Sequence, residues 1–138
     1  MKKNIWAFSD YTPQLTTPYE FLIKYALQLK EDTNGIIEGD VVEVIQQDKE
    51  EVVFALYLVV PELRNYSYRL IEVIQSNAFT PYPVNMKLYG AATQNVVEVN
   101  NVSEQNFEKE LKDFITSPLT KLILTSLKTH LEIKKEYE

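Results

Sequence analysis

The sequence predicts an α+β fold: a mostly antiparallel four- or five-stranded sheet, with an N-terminal helix and two C-terminal helices packed on it. Three observations favour this class. A capped, apolar helical segment comes early in the chain, β-rich runs separated by polar or proline-rich turns fill the middle, and the last third has helical apolar spacing. Strands and helices do not alternate along the chain, so a parallel, doubly wound sheet is disfavoured.

The first helix is predicted to begin after Thr17. Thr17 can serve as the N-cap, Pro18 suits the first helical position, and Glu20 completes a Thr-x-x-Glu capping box. The pair Asn34-Gly35 is typical of the residues just past a helix end. Apolar residues occupy most of the circumference of this helix, so we expect it either to be sunk into the core or to meet a partner chain in part.

A hairpin is predicted to follow. Its strands are the β-branched run from Val41 to Ile45 and the segment from Glu51 to Val60, which the polar residues 46–50 join. The second strand is apolar on both faces. It should therefore lie centrally in the sheet, with a covering layer on each side.

Residues 61–76 fit two interpretations. Leu63, Tyr66 and Leu70 lie at a spacing that a helix beginning near Pro61 would bring to one face. The composition from Tyr66 to Ile74 is instead aromatic and β-branched, and the residues before it suit a loop. A third strand is favoured over a helix.

The remainder is predicted as a loop at Thr80–Pro83, short strands at Val84–Tyr89 and Val96–Val99, and two helices separated by a break at Thr116–Pro118. Ser103 is the expected N-cap of the first of these helices. The second would present Leu119, Leu122, Ile123, Leu127 and Leu131 on its apolar side.

The length of 138 residues is enough for one domain, residues 1–138, with its own core. Residues 1–16 are expected to form an irregular lead-in, or a short edge strand around Ile5 to Phe8, and the charged residues 132–138 are expected to fray. The apolar run near the N-terminus is too short for a secretory signal. The longest apolar run, Val52–Val60, is too short to span a bilayer. These features predict a cytoplasmic protein with no membrane contact.

Residue counts exclude several chemistries. The chain has no cysteine, one histidine and three glycines, which excludes thiol catalysis, cysteine-based metal sites and glycine-rich phosphate loops. His130 is expected in the last turn of a helix, where it interacts favourably with the helix dipole. The carboxylates Glu38, Asp40 and Glu43 lie close in sequence but fit a solvated strand entrance better than a catalytic or cation site. We expect no cofactor and no metal, and the balance is against an enzyme.

The net charge of −6, with only two arginines, argues against nucleic-acid binding and favours a basic protein partner. Tyrosine is the abundant residue with binding potential, because its ring combines a large apolar area with a polar tip. The candidate binding residues on or beside the sheet are Tyr57, Tyr66, Tyr68, Tyr82 and Tyr89. Sheet packing, partner contact and a ligand pocket are all open roles for them.

The leading hypothesis is a small acidic intracellular protein-binding module without catalysis, of the adaptor, chaperone-like or toxin-neutralising class. The alternative is a small-molecule binding domain or weak enzyme, with a cleft between sheet and helices lined by tyrosines and carboxylates. If all three helices cover one face of the sheet, the other face is expected to meet a second chain, as a homodimer or with another partner.

Overall fold

The computed structural model describes residues 15–45, 50–89 and 96–137. Its helices are α1 (Pro18–Asp32), α2 (Glu104–Ile115) and α3 (Pro118–Glu136), and its strands are β1 (Glu38–Ile45), β2 (Val52–Val60), β3 (Tyr66–Gln75), β4 (Val84–Tyr89) and β5 (Val96–Val102). A short 3-10 turn, Pro61–Leu63, links β2 to β3. The predicted α+β class is confirmed. The edge strand considered around Ile5 to Phe8 lies outside the described residues, as does most of the polar turn after β1.

The five strands form one antiparallel sheet in the order of the chain, β1-β2-β3-β4-β5. Residues 66–75 are a strand, so the favoured interpretation of the ambiguous stretch is confirmed. The register between β2 and β3 shifts between Leu56 and Tyr57, where Leu56 pairs with Ile71 and Tyr57 pairs with Arg69. Leu70 is the extra residue of this bulge, and both Leu70 and Ile71 are buried.

The core lies between one face of the sheet and all three helices. Alternate residues of β2 point toward the helices, as the period of two in a strand requires. The central members of the core are Leu22, Leu56, Leu58, Ile71, Met86, Phe107, Leu111, Ile123 and Leu127. On the opposite face of β2, Val53 and Ala55 are also buried and Tyr57 is half-buried. The expected central position of β2 is confirmed.

Helix α1 begins with the predicted capping box: the Glu20 amide donates to Thr17 Oγ1 at 3.3 Å, and the Thr17 amide donates to Glu20 Oε1 at 3.4 Å. Leu22 and Ala26 are buried, whereas Tyr19 and Leu27 are 41% and 60% exposed. The helix is therefore buried in the core on one side and exposed on the other. This arrangement is intermediate between a fully covered helix and one that meets a partner chain.

Helix α3 begins at Ser117, whose side chain accepts from the Thr120 amide, and it continues to Glu136. Helical structure thus extends into the segment 132–138 that was expected to fray. Two tertiary contacts lie in this segment: Lys135 Nζ is 3.5 Å from Glu62 Oε2, and Lys134 Nζ donates to the Glu62 carbonyl. The placement of His130 in the last helical turn was wrong, because the helix continues well beyond it.

Candidate functional site

A groove with a volume of about 620 Å³ lies between α3 and the start of β3. We call it the α3 groove. It is lined by Leu63, Tyr66, Tyr68, Ile123, Ser126, Leu127, His130, Ile133 and Lys134. Within the described residues, β4 pairs with β3 only from Ile71 to Gln75, so the first residues of β3 extend past this ladder toward the C-terminal half of α3. The groove lies where these two extensions face each other.

The wall on the α3 side follows from helical spacing. Ile123, Leu127, His130 and Lys134 recur at intervals of three and four residues, which places them on one stripe of the helix. With a rise of 1.5 Å per residue, this stripe is about 16 Å long, or about three turns.

The opposite wall is built by the turn after β2. Arg64 ends the 3-10 turn in the left-handed region, with φ 57°, which turns the chain back into β3. Leu63 then lines the groove together with Tyr66 and Tyr68, which are two residues apart on one face of the strand.

The floor of the groove is apolar and buried, and its rim is exposed. Ile123 and Leu127 are 4% and 8% exposed, whereas Tyr66 and Ile133 at the rim are each 50% exposed. An apolar floor with half-exposed apolar side chains at its edge leaves surface that a bound ligand can remove from water.

Two polar side chains of the groove, Tyr68 and His130, are held by partners in the chain itself. The Tyr68 hydroxyl donates to the Tyr89 carbonyl at 3.3 Å, and burial, followed by the nearby Tyr66, raises the pKa of Tyr68. His130 Nδ1 lies 2.9 Å from the Ser126 carbonyl. A carbonyl can only accept, so Nδ1 carries the proton and Nε2 is the nitrogen left for solvent or a ligand. Such an arrangement orients the imidazole without giving it a basic partner.

The five candidate tyrosines do not form one site. Tyr66 and Tyr68 line the α3 groove, whereas Tyr57 and Tyr89 belong to the sheet face opposite the helices. The ring of Tyr82 packs 5.8 Å from the ring of Phe107, between centroids. Its hydroxyl donates to the Thr16 carbonyl at 2.6 Å, and burial raises its pKa.

Tyr89 belongs to a small polar cluster on the opposite sheet face. Its hydroxyl donates to Glu72 Oε2 at 3.1 Å, and Arg69 Nη1 lies 3.3 Å from the same oxygen. The Arg69 guanidinium also stacks 4.6 Å from the centroid of the Tyr89 ring. Burial, and then the charge of Glu72, raise the pKa of Tyr89. The three groups satisfy one another, which is the pattern of a structural cluster.

The three carboxylates considered in the sequence are divided between the faces of β1. Glu38 and Asp40 share one face and Glu43 lies on the other. Glu38 Oε1 is 3.7 Å from Lys30 Nζ, which ties the strand to α1. Across the described ranges, no three or more histidine, cysteine or acidic side chains come together in a way that could hold a metal ion. Nor does any helix within them have the length and apolar character to cross a membrane.

No protein-family model matches this chain, and neither the search of curated proteins nor that of solved structures gives a significant match.

Sequence reasoning named two of the groove residues, Tyr66 and Tyr68, and missed the α3 wall. The residues Ile133 and Lys134 fell in the segment expected to fray, and His130 was assigned to a helix end. The stripe that joins Ile123 to Lys134 at helical spacing was the available signal. No sequence pattern indicated Leu63 as a groove residue, because its position depends on the turn that follows β2.

Proposed function

We propose that this protein is a small acidic intracellular binding module, without catalysis, that holds a segment of another protein in the α3 groove. The observation that carries the proposal is the groove's combination of a buried apolar floor at Ile123 and Leu127 with a half-exposed apolar rim at Tyr66 and Ile133. Central aromatic and aliphatic anchors of this kind supply most of the binding energy in protein interfaces. The proposal covers the adaptor, chaperone-like and toxin-neutralising classes.

A second candidate is a small apolar molecule in the same groove. The volume of about 620 Å³ supports it, because ligand pockets span roughly 300–1,000 Å³. The exposed rim favours the protein partner instead. A small ligand normally buries 70–90% of its surface in a pocket, whereas a groove open along Tyr66 and Ile133 leaves one side of a small molecule in water.

The test is capture from the native host with the wild-type protein and with two variants. Ile133→Asp places a charge on the groove rim, and Leu27→Asp places the same charge on the exposed side of α1. Both positions are at least half exposed, so both variants should fold. The wild type and Leu27→Asp are expected to retain the same stoichiometric protein, and Ile133→Asp is expected to lose it.

Two results contradict the protein-binding proposal. One is retention of the partner by Ile133→Asp, which would move the interface away from the groove. The other is a small molecule that mass spectrometry finds in solvent extracts of the wild-type protein and of Leu27→Asp but not of Ile133→Asp. That result would favour the second candidate.

We further infer self-association through the β1 part of the sheet face that lies opposite the described helices. Val42 and Val44 on this face are 38% and 45% exposed, next to the buried Val53 and Ala55. Two copies meeting on this face would remove those valines from water. Light scattering is expected to give a dimer mass that falls to the monomer mass in Val44→Asp. A wild-type protein that stays at 16.1 kDa at high concentration would contradict it.

A further inference from the structure

We propose that the occupant of the α3 groove is an acidic amphipathic helix of the partner, about three turns long. This inference rests on the proposed function and adds the chemistry of the segment that is bound. Three features of the groove carry it: its length along α3, the aliphatic and aromatic side chains in its walls, and the sign of the charges around it.

Length and lining favour a helix over an extended peptide. The stripe from Ile123 to Lys134 is about 16 Å long, which a helix of about eleven residues matches. Six of the nine lining residues are aliphatic or tyrosine side chains. An extended peptide laid against them could pair one edge with the part of β3 beyond the β4 ladder, but the amide and carbonyl groups of its other edge would be buried without partners. A helix satisfies those groups internally and presents apolar anchors at i, i+3, i+4 and i+7.

The charge around the groove is opposite to that of the whole chain. The net charge is −6, yet the nine lining residues include Lys134 and no carboxylate. Arg64, which follows the lining residue Leu63, is exposed. Glu62, which precedes Leu63 in the chain, already binds Lys135. The local potential at the Arg64 end therefore favours negative charge on the occupant, although the composition alone favoured a basic partner.

The acidic residues of the occupant are expected on the flank that lies over the turn after β2. The apolar face enters between Tyr66 and Ile133, and the adjacent carboxylates then lie within reach of Arg64. Each exposed ion pair of this kind contributes modestly to the binding free energy. A measurable effect therefore needs several such pairs, or a substitution that reverses the sign of one charge.

The experiment uses two stapled helical peptides of about fourteen residues, the staple limiting the cost of helix nucleation. Both carry leucine at i, i+3, i+4 and i+7, and the flanking positions are all glutamate in one peptide and all lysine in the other. Fluorescence anisotropy with the full chain is expected to show the glutamate peptide binding about tenfold more tightly or better. Ile133→Asp is expected to abolish the binding of both, and Leu27→Asp neither.

Charge reversal at the rim provides the matched control. Arg64→Glu is expected to weaken the glutamate peptide about fivefold and to strengthen the lysine peptide. Lys109→Glu, on the exposed side of α2, makes the same change in net charge and is expected to leave both affinities unaltered.

Each other outcome overturns a defined part of the proposal for the α3 groove. Equal binding of both peptides, lost in Ile133→Asp, overturns the acidic occupant and leaves the proposed function standing. Binding of neither peptide, while the host partner is still captured in a groove-dependent way, overturns the helical occupant only. Peptide binding that survives Ile133→Asp removes the groove as the site. Tighter binding of dodecanoate than of either peptide, again lost in Ile133→Asp, replaces the helix with a small anionic amphiphile.

Discussion

Substitution of Gly39 by alanine should loosen the packing of α1 on the sheet. Gly39 lies in β1 where α1 crosses it, and a Cβ built at this position would lie 2.6 Å from Ala26 Cβ and 2.8 Å from Ala26 Cα. Both distances are far inside van der Waals contact, and the Cα belongs to the helix backbone, which no side-chain rotation can move. The helix must therefore shift away from β1.

The expected destabilisation is about 1–3 kcal/mol, the usual cost of inserting a methyl group into a packed core. Alanine recovers part of this by restricting the unfolded chain, by roughly 0.4–1 kcal/mol. A net loss of about 1–2 kcal/mol should lower the melting temperature by about 4 °C for each kcal/mol in a domain of this size.

Equilibrium urea unfolding measures the effect, and a double-mutant cycle tests its cause. Ala26→Gly removes one of the two clashing carbons and by itself costs about 1 kcal/mol in the helix. Combined with Gly39→Ala, it should be less harmful than the sum of the two changes. Strict additivity, or a Gly39→Ala protein as stable as the wild type, would refute the close contact between α1 and β1.

Three further predictions concern side chains that join the helices. Burial, followed by the hydrogen bond to Glu108, raises the pKa of Tyr25 from 10.0 to about 12. Because the folded state favours the neutral phenol, the contribution of Tyr25 to stability is complete below about pH 10 and is lost as the pH rises toward 12. Tyr25→Phe should therefore flatten the alkaline limb of a melting-temperature profile, and an unchanged limb would contradict it. The hydrogen bond from Lys24 lowers the pKa of Glu108. The contribution of Glu108 to stability is therefore present above the ordinary carboxyl pKa and is lost as the pH falls through the lowered value. Glu108→Gln should remove that part of the acid dependence, which chemical unfolding at a series of pH values measures. Thr120 is buried and donates to the Phe114 carbonyl at 2.6 Å, so Thr120→Val should cost about 1 kcal/mol in urea unfolding, whereas Thr129→Val on the exposed side of α3 should cost almost nothing. Equal costs at the two threonines would refute the role of the buried hydrogen bond.

Local chemistry accounts for the elements that were predicted well. The capping box at Thr17 and Glu20 joins groups three residues apart, so it forms wherever the helix forms. The strand at residues 66–75 follows from its aromatic and β-branched composition, which suits a half-buried pleated surface. Neither feature depends on a distant part of the chain.

The candidate site could not be predicted in the same way, because its parts come from separate segments. The wall formed by Tyr66 and Tyr68 meets Ile133 and Lys134 only after α3 has packed on the sheet. The contacts of Lys134 and Lys135 with Glu62, about seventy residues away in sequence, accompany helical structure where the local composition predicted fraying.

The sequence by itself determined the α+β class, the order of the elements and the absence of thiol and phosphate-loop chemistry, since these depend on residue type and short-range spacing. The tertiary structure alone decided which face each tyrosine occupies. The bulge at Leu70 adds one residue to β3, so Tyr68 and Ile71, which strict alternation would separate, both face the helices. This single extra residue in β3 thus places two tyrosines in the α3 groove. The position of the extra residue is set by the pairing between strands, which the period of two along one strand does not specify.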